Sequence, residues 1–402
     1  MRASKTGVSR RFAVSALFCM LACMQACVLL SCSRGQTDEK RAELAADTAP
    51  ALFGEPVRLR NDYATAFSAD SYRNGCWLLS AGGIRYLVVP ASADAQVRQA
   101  CADGVIPKDI VIIRQPLTAV YVAASASVAL WNAAGALDQV CFTSTRKQDW
   151  YVPAALQAIE AGQLRYIGKY NAPDYEALLR AGCSLAVESK MVFHAPQVKE
   201  KLESIGIPVF IDCSSAEQNP LGRMEWIRVY GILSGHMQQA DDFFERQLHE
   251  LEPVLGKADG PLPKVAFFYI NPNGMAVVRR HDDYLSNMIA MAGGAYAFGD
   301  LRQAEKKVSA SVTISMEQFY AAASDADYFI YNASIDHPLG SVADLVAKNS
   351  LFAGCRAVRN GQVWTTNKYL YQAADCLGLL IRDIHTMLDG GESEMVFLEH
   401  VE

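Results

Sequence analysis

The chain has 402 residues, of which 51% are hydrophobic and 20% are charged, and its formal net charge is −6. This length and apolar content suit one or two globular domains, and the acidic balance argues against nucleic acid as a partner. Residues 1–31 contain only basic charged residues, so the remainder of the chain is more acidic than the whole.

Residues 1–31 have the pattern of a secretory signal peptide. A basic head precedes an apolar run from Phe12 to Leu30, and the run ends in a Leu-Leu-Ser-Cys sequence at Cys32. This is the Leu-x-small-Cys form of a bacterial lipobox, which predicts acylation of Cys32 and cleavage before it. The run is also nearly long enough for a permanent membrane helix, and Ser9-Arg10-Arg11-Phe12 is similar to a twin-arginine export signal. The position of the lipobox favours the lipid anchor, and no later apolar stretch is long enough to span a bilayer.

The seven cysteines that follow Cys32 are odd in number, scattered and without a C-x-x-C pair. Most lie in apolar segments, where a cysteine behaves as a small buried hydrophobic residue. We therefore interpret them as core residues rather than as a disulfide framework. They are Cys76, Cys101, Cys141, Cys183, Cys213, Cys355 and Cys376.

Residues 32–55 are polar and alanine-rich, which predicts the lipidated cysteine followed by a flexible tether. From residue 56 to residue 390, short β-branched runs alternate with helical stretches, which is typical of βαβ units with mostly parallel sheets. The fold class is therefore α/β, with two Rossmann-like lobes at 56–236 and 261–390 and a tail at 391–402. The predicted strands are 85–89, 110–113, 140–143, 185–188, 209–212, 264–270, 328–331 and 362–365.

The region between the lobes has the clearest helical pattern. Asn219 suits an N-cap and Pro220 the first helical position, and apolar residues then recur at helical spacing until Gly235 interrupts the run. A second stretch, 238–255, has one apolar face opposite polar residues. These patterns predict a single long connecting helix at 237–260, which would restrict closure of the lobes to small angles.

Three blocks carry a resemblance to a known family. Residues 219–227 (NPLGRMEWI) resemble the segment before the connecting helix of iron-chelate binding proteins. Residues 168–179 (GKYNAPDYEALL) resemble the first-lobe block, and residues 315–319 (SMEQF), followed by 325–330 (DADYFI), resemble the second-lobe block. The chain thus resembles the helical-hinge, or class III, periplasmic substrate-binding proteins of ABC importers for siderophores, haem and cobalamin, over about 80–385.

The resemblance implies a function and partners. Such a protein captures an iron chelate or a corrinoid between its lobes and delivers it to a permease dimer with its ATPase. One glutamate on each lobe docks onto the permease, and the matching positions are Glu176 and Glu317. We expect a monomer held by its lipid on the outer side of the inner membrane, without an intrinsic cofactor.

Ligand contacts are expected in the loops that follow strand ends, since open α/β sheets bind ligands there. Aromatic faces with interspersed cations suit a flat anionic chelate. The candidates are Arg146, Trp150, Tyr151, Lys169, Tyr170, Lys190, His194, Tyr269, Asn271, Arg279, Arg280 and Tyr284. Haem would need an axial ligand, and Tyr170, His194 and His281 remain open for that role. Bare zinc or manganese is not favoured, because no His/Asp/Glu cluster is recognisable.

An enzyme is the main alternative class. The sequence has no G-x-S-x-G, P-loop, G-x-G-x-x-G or H-E-x-x-H motif. A lipid-anchored α/β hydrolase and a lipoprotein that binds a partner without transport remain alternatives. We expect a binding protein, not an enzyme.

Overall fold

A computed structural model describes residues 53–255, 260–301, 309–391 and 394–402. The predicted signal peptide, Cys32 and nearly all of the predicted tether lie outside the described residues. Phe53, at the end of that tether, is buried against the Tyr72 ring. In the part of the chain that is described, no helix combines the length and apolar character needed to cross a membrane.

The first lobe begins with a five-stranded sheet in the order β1-β2-β3-β4-β5. The strands β1 to β4 are antiparallel, and β5 joins parallel to β4 through helix α1 (Asp94–Ala102). The strands are β1 (Val57–Arg58), β2 (Phe67–Ser71), β3 (Trp77–Ala81), β4 (Ile84–Val89) and β5 (Val111–Arg114). The sequence predicted only β4 and β5, because β1 to β3 are short and half-exposed and lack a buried apolar run.

A second sheet of this lobe is entirely parallel, in the order β12-β11-β6-β7-β8. Its strands are β6 (Val120–Val122), β7 (Val140–Thr143), β8 (Arg165–Tyr166), β11 (Ala186–Ser189) and β12 (Val209–Asp212). A small hairpin, β9 (Gly168–Lys169) with β10 (Ala172–Pro173), follows β8. The helices of this region are α2 (Ser125–Ala133), α3 (Pro153–Glu160), α4 (Tyr175–Arg180) and α5 (Pro196–Ser204).

Three helices lead from the first lobe to the second: α6 (Pro220–Glu225), α7 (Ile227–Ser234) and α8 (Met237–Leu251). Asn219 caps α6 by accepting from the Leu221 amide, and Gly235, in the left-handed conformation, ends α7 as predicted. The apolar face of α8 is buried at Phe244 and Leu251. The prediction that the helix continues to 255 or 260 is wrong. It ends at Leu251 because Pro253 lacks the amide hydrogen that would continue the helical hydrogen bonds.

The second lobe has one sheet in the order β16-β14-β13-β17-β18-β19, with β15 beside β13. The strands β13, β15, β17 and β18 are parallel to one another, whereas β14 and β19 are antiparallel to their neighbours. The strands are β13 (Lys264–Ile270), β14 (Ala276–Arg279), β15 (Ala295–Tyr296), β16 (Ser311–Ile314), β17 (Tyr328–Tyr331), β18 (Val363–Thr366) and β19 (Leu398–His400). The helices are α9 (Tyr284–Met291), α10 (Met316–Ala323), α11 (Val342–Lys348), α12 (Arg356–Arg359) and α13 (Leu377–Asp389).

The C-terminal segment, predicted as a tail at 391–402, is part of the second lobe. Its strand β19 pairs with β18, and Phe397, Leu398 and Val401 are buried. The Asp383 carboxylate accepts hydrogen bonds from the amides of Val396 and Phe397, at 2.8 and 2.6 Å. These contacts hold the end of the chain against α13, so the segment is not a tail.

The predicted α/β architecture with two lobes and parallel sheets is confirmed, although the first sheet is mostly antiparallel. Six of the seven described cysteines are buried or half-buried, as predicted, whereas Cys101 is exposed on α1. All seven are free thiols.

Candidate ligand-binding cleft

The carboxyl ends of the parallel strands in the two lobes face each other. The loop after β7 contacts the loop after β18 through Gln372: the Tyr151 amide donates to Gln372 Oε1 at 2.9 Å. The Gln372 Nε2 group donates in return to the Asp149 carbonyl oxygen at 2.7 Å. The two sheets therefore enclose a cleft between the lobes, and Gln372 braces one side of it.

A pocket of about 240 Å³, here called the interlobe pocket, lies between the lobes. One wall comes from the first lobe and α6, and the other from the segment around the start of α9. Its lining residues are Lys190, Ser215, Ala216, Glu217, Gln218, Arg223, Arg280, Asp282, Asp283, Tyr284, Ser309 and Ala310.

Arg223 and Tyr284 join the two walls of the interlobe pocket. The Arg223 guanidinium carbon lies 3.6 Å from the centroid of the Tyr284 ring, a cation–π contact between the lobes. Arg223 also donates to the carbonyl oxygens of Glu217 and Ser215, at 3.0 and 2.9 Å. Burial lowers the pKa of Arg223, but an arginine stays charged at neutral pH.

A second cavity of about 200 Å³, here called the C-lobe pocket, lies at the carboxyl edge of the second-lobe sheet. Arg279 on its wall makes two hydrogen bonds of 2.8 Å to the Asp283 carboxylate. The Tyr371 hydroxyl accepts from Asn332 Nδ2 at 2.8 Å, and burial raises the pKa of Tyr371, which keeps the phenol protonated. The lining residues are Phe267, Tyr269, Val277, Arg279, Ser311, Asn332, Ile335 and Tyr371.

The structure brings six of the twelve predicted ligand residues to the cleft. Lys190, Arg280 and Tyr284 line the interlobe pocket, and Tyr269 and Arg279 line the C-lobe pocket. The sixth, Tyr151, is 38% exposed and lies at the Gln372 brace. These placements are compatible with ligand contacts, which remain a prediction.

The other six candidates line neither pocket. Trp150 is buried, since its indole packs in the first-lobe core and donates to the Thr145 carbonyl oxygen. Asn271 closes the β13–β14 turn by accepting from the amides of Asn273 and Met275. Tyr170 is half-buried against the core. The remaining three candidates are exposed, and they are Arg146, Lys169 and His194.

Sequence analysis missed several cleft residues, and four of them make the contacts described above. Asn332 directly follows β17, while Tyr371 and Gln372 follow β18. The expectation that ligands bind in the loops after strand ends, applied to these two strands, would have identified all three residues. Arg223 lies inside a helix, and no local pattern distinguishes its side chain from a solvent-exposed arginine.

None of the three residues considered as axial haem ligands lines a pocket. Tyr170 packs against the core, and His194 and His281 are exposed. Two other phenols, Tyr269 and Tyr371, do line the C-lobe pocket. Within the described ranges, no group of three or more His, Cys, Asp or Glu side chains could hold a metal ion.

The two predicted docking glutamates lie at corresponding places in the two lobes. Glu317 is exposed in the first turn of α10, directly after the carboxyl end of β16, and Ser315 and Gln318 form a capping box there. Glu176 is exposed in the first turn of α4, whose cap Asp174 donates its amide to the Ile167 carbonyl oxygen just beyond β8. Both carboxylates therefore lie at the strand edges that border the cleft.

Two α/β lobes, a cleft at their facing sheet edges and a helical connection define a two-lobed binding protein. A family model described as "Periplasmic binding protein" matches residues 120–370. The match covers more than half of the chain, so this chain belongs to the periplasmic binding protein family, a family of binding proteins rather than enzymes.

Individual proteins are similar to this chain. An uncharacterized lipoprotein of Methanocaldococcus jannaschii is 24% identical over 295 residues, which cover 69% of this chain and 66% of that relative, just under two thirds of its length. The periplasmic haem-binding protein HutB of Vibrio cholerae has a TM-score of 0.54 and 19% identity, covering 67% of this chain and 98% of that one. The periplasmic vitamin B12-binding protein BtuF of Vibrio cholerae has a TM-score of 0.50 and 18% identity, covering 69% and 99%. At these identities the two structures show a shared fold.

Proposed function

We propose that this chain is the substrate-binding lipoprotein of an ABC importer, which captures an iron chelate, haem or a corrinoid and delivers it to the permease. The observation that carries the proposal is the cleft, where the interlobe pocket joins Lys190 and Arg223 of one wall to Arg280 and Tyr284 of the other. Guanidinium groups and aromatic faces suit flat, oxygen-rich chelates. No chemical step is required, because capture and release alone perform the function.

The membrane attachment proposed for this function is acylation at Cys32. The lipobox sequence supports it, and so does the name of the archaeal relative, which is called a lipoprotein. One lipid and a tether would keep the cleft close to the importer. Mass spectrometry of the membrane-extracted protein would test this: a Cys32→Ser variant should lose both the acyl mass and the membrane fraction.

Delivery is proposed to depend on Glu176 and Glu317. Two carboxylates held apart on separate lobes can set both the orientation and the register of docking. Closure of the lobes around a ligand would change the distance between these carboxylates. Loaded and empty forms could thereby be distinguished by the permease.

An absorbance titration between 300 and 700 nm tests the cargo. The chain from Ser33 onward is titrated with haemin, cyanocobalamin and ferric siderophores. A saturating change with one chelate, at one per protein, supports the proposal and identifies the cargo class. If every chelate leaves the spectrum unchanged at saturating concentrations, the proposed cargo is wrong.

A further inference from the structure

Among the charged residues of the interlobe pocket, Lys190 and Arg223 differ from the others. Arg280 is paired with Asp282 at 3.2 Å, and the Asp283 carboxylate is occupied by Arg279. By contrast, no carboxylate lies within ion-pair distance of Lys190 or Arg223 among residues 53–255, 260–301, 309–391 and 394–402. Within the described part of the chain, the Arg223 side chain donates hydrogen bonds only to two backbone carbonyl oxygens.

The third carboxylate at the pocket, Glu217, has its own donors. It accepts hydrogen bonds from the amides of Thr65 and Ala66 and from the Trp226 indole, at 2.7 to 3.0 Å. These donors satisfy the Glu217 carboxylate, which makes no ion pair with Arg223. Among the described residues, the pocket therefore has two positive charges without a carboxylate in ion-pair contact, and Asp283 and Asp212 act on Arg223 only at longer range.

Arg223 is also held in place before any ligand arrives. Its guanidinium is fixed from one side by the Glu217 and Ser215 carbonyl oxygens and stacked over the Tyr284 ring. An arginine immobilised in this manner loses little conformational entropy when it binds an oxyanion with its remaining N–H groups. Lys190 follows β11 on the first-lobe wall and can approach the same anion as a flexible cation.

We propose that Lys190 and Arg223 form an anion subsite, which selects iron chelates with negatively charged carboxylate or catecholate arms over neutral chelates and corrinoids. The proposal rests on the proposed function, since it deepens the choice of cargo for the same cleft. The anionic arm enters the interlobe pocket and bonds to Arg223 and Lys190, while the metal and the rest of the chelate lie in the cleft outside it.

The test compares charged with neutral chelates on the full-length chain in detergent, with binding followed by quenching of intrinsic fluorescence. The probes are haemin, a trianionic ferric tris-catecholate, a neutral ferric tris-hydroxamate and cyanocobalamin. The variants are Arg223→Gln, Arg223→Lys and Lys190→Gln, and Lys108→Gln is the matched control because Lys108 is exposed and lines neither pocket. A thermal melt of each variant verifies that it is folded.

We expect the wild type to bind an anionic chelate more tightly than the neutral ones. Arg223→Gln and Lys190→Gln should each weaken that binding about tenfold or more, as expected for loss of a charge-assisted hydrogen bond. Arg223→Lys should weaken binding less, and Lys108→Gln should leave the affinity unchanged. Unchanged affinity in both Gln variants, or tightest binding of a neutral chelate, overturns the subsite while leaving the proposed function intact. If no chelate binds the wild type, the proposed function itself fails.

Discussion

Glu217 and Glu225 divide between them the five consecutive backbone amides of residues 62–66. Glu225 accepts from the amides of 62, 63 and 64 at 2.6 to 2.9 Å, and Glu217 accepts from the amides of 65 and 66. Both carboxylates are buried, and Glu225 also pairs with Arg228 at 2.6 Å. The loop before β2 is thus tied to the helices that connect the lobes.

We expect Glu225→Gln to destabilise the protein by about 3–5 kcal/mol, as is typical when one partner of a buried ion pair is removed. The new amide would direct N–H groups toward backbone N–H groups and would leave Arg228 without its closest carboxylate. Glu217→Gln should cost about 1–3 kcal/mol, because it leaves buried donors unsatisfied. Urea unfolding measures both, with the exposed Glu250→Gln as control. Equal stability of all three variants would show that the carboxylates do not hold the loop.

Gln372 provides a test of whether the lobes touch in solution. Gln372→Ala removes the acceptor of the Tyr151 amide, so that amide should exchange with deuterium about fivefold faster, as expected for a net loss of about 1 kcal/mol. Gln372→Glu keeps an acceptor for Tyr151 but cannot donate to Asp149, so it should retain most of the protection. Gln148→Ala, an exposed residue in the same loop, is the control. If the Tyr151 amide exchanges at the same rate in all variants, the brace is not formed in solution.

Glu188 should make stability fall as pH rises. It is 1% exposed on β11, and no donor among the described residues meets hydrogen-bond geometry at either carboxylate oxygen. Burial raises its pKa to about 8, and the nearby Tyr121 hydroxyl lowers the pKa by a smaller amount. Between the ordinary value of 4.5 and about 8, the folded protein holds a proton that the unfolded chain has released. The stability that this proton contributes is therefore fully present below pH 4.5, the ordinary pKa of the group. As the pH rises toward the folded-state pKa of about 8, this stability is lost by up to about 1.4 kcal/mol per pH unit.

The test is the difference in unfolding free energy between wild type and Glu188→Gln from pH 5 to pH 9. The variant stays neutral at this position. Its unfolding free energy should therefore rise relative to that of the wild type up to about pH 8, and the difference should then stay constant. Among the described residues, Tyr121 and Tyr175 interact electrostatically with Glu188, and burial raises the pKa of both, so neither adds charge in this range. A pH-independent difference would mean that Glu188 is already ionised in the folded protein.

Replacement of both Glu176 and Glu317 by alanine should leave chelate affinity unchanged and abolish uptake. Both side chains are exposed and line neither pocket, so their removal should affect docking rather than binding. Uptake of labelled chelate in cells that carry the importer, together with a binding titration, separates the two effects. The control is Glu200→Ala with Glu250→Ala, two exposed glutamates elsewhere. Loss of binding in the double variant, or normal uptake, would contradict the docking role.

Local patterns determined the longer buried strands, although these are fewer than half of the strands in the described residues. All eight predicted strands are present to within one or two residues, because buried parallel strands such as β13 and β17 are continuous apolar runs. Gly235 ended its helix as expected, since a left-handed residue there strongly favours glycine. The three sequence blocks also identified the class of protein. The C-terminal strand β19 was missed, because three residues have no periodicity and only pairing with β18 stabilises them.

The cleft depended on tertiary structure. Trp150 and Tyr151 are adjacent, yet packing places the Trp150 ring in the core and the Tyr151 amide at the brace, beside a residue 221 positions away. Likewise, Arg223 gains its cation–π contact from Tyr284, on the other wall of the interlobe pocket. The sequence by itself determined the longer buried strands and the helical connection, since these follow from the order of apolar and polar residues along a short segment. Only the folded chain decided which side chains share a pocket, because that depends on contacts between segments far apart in sequence.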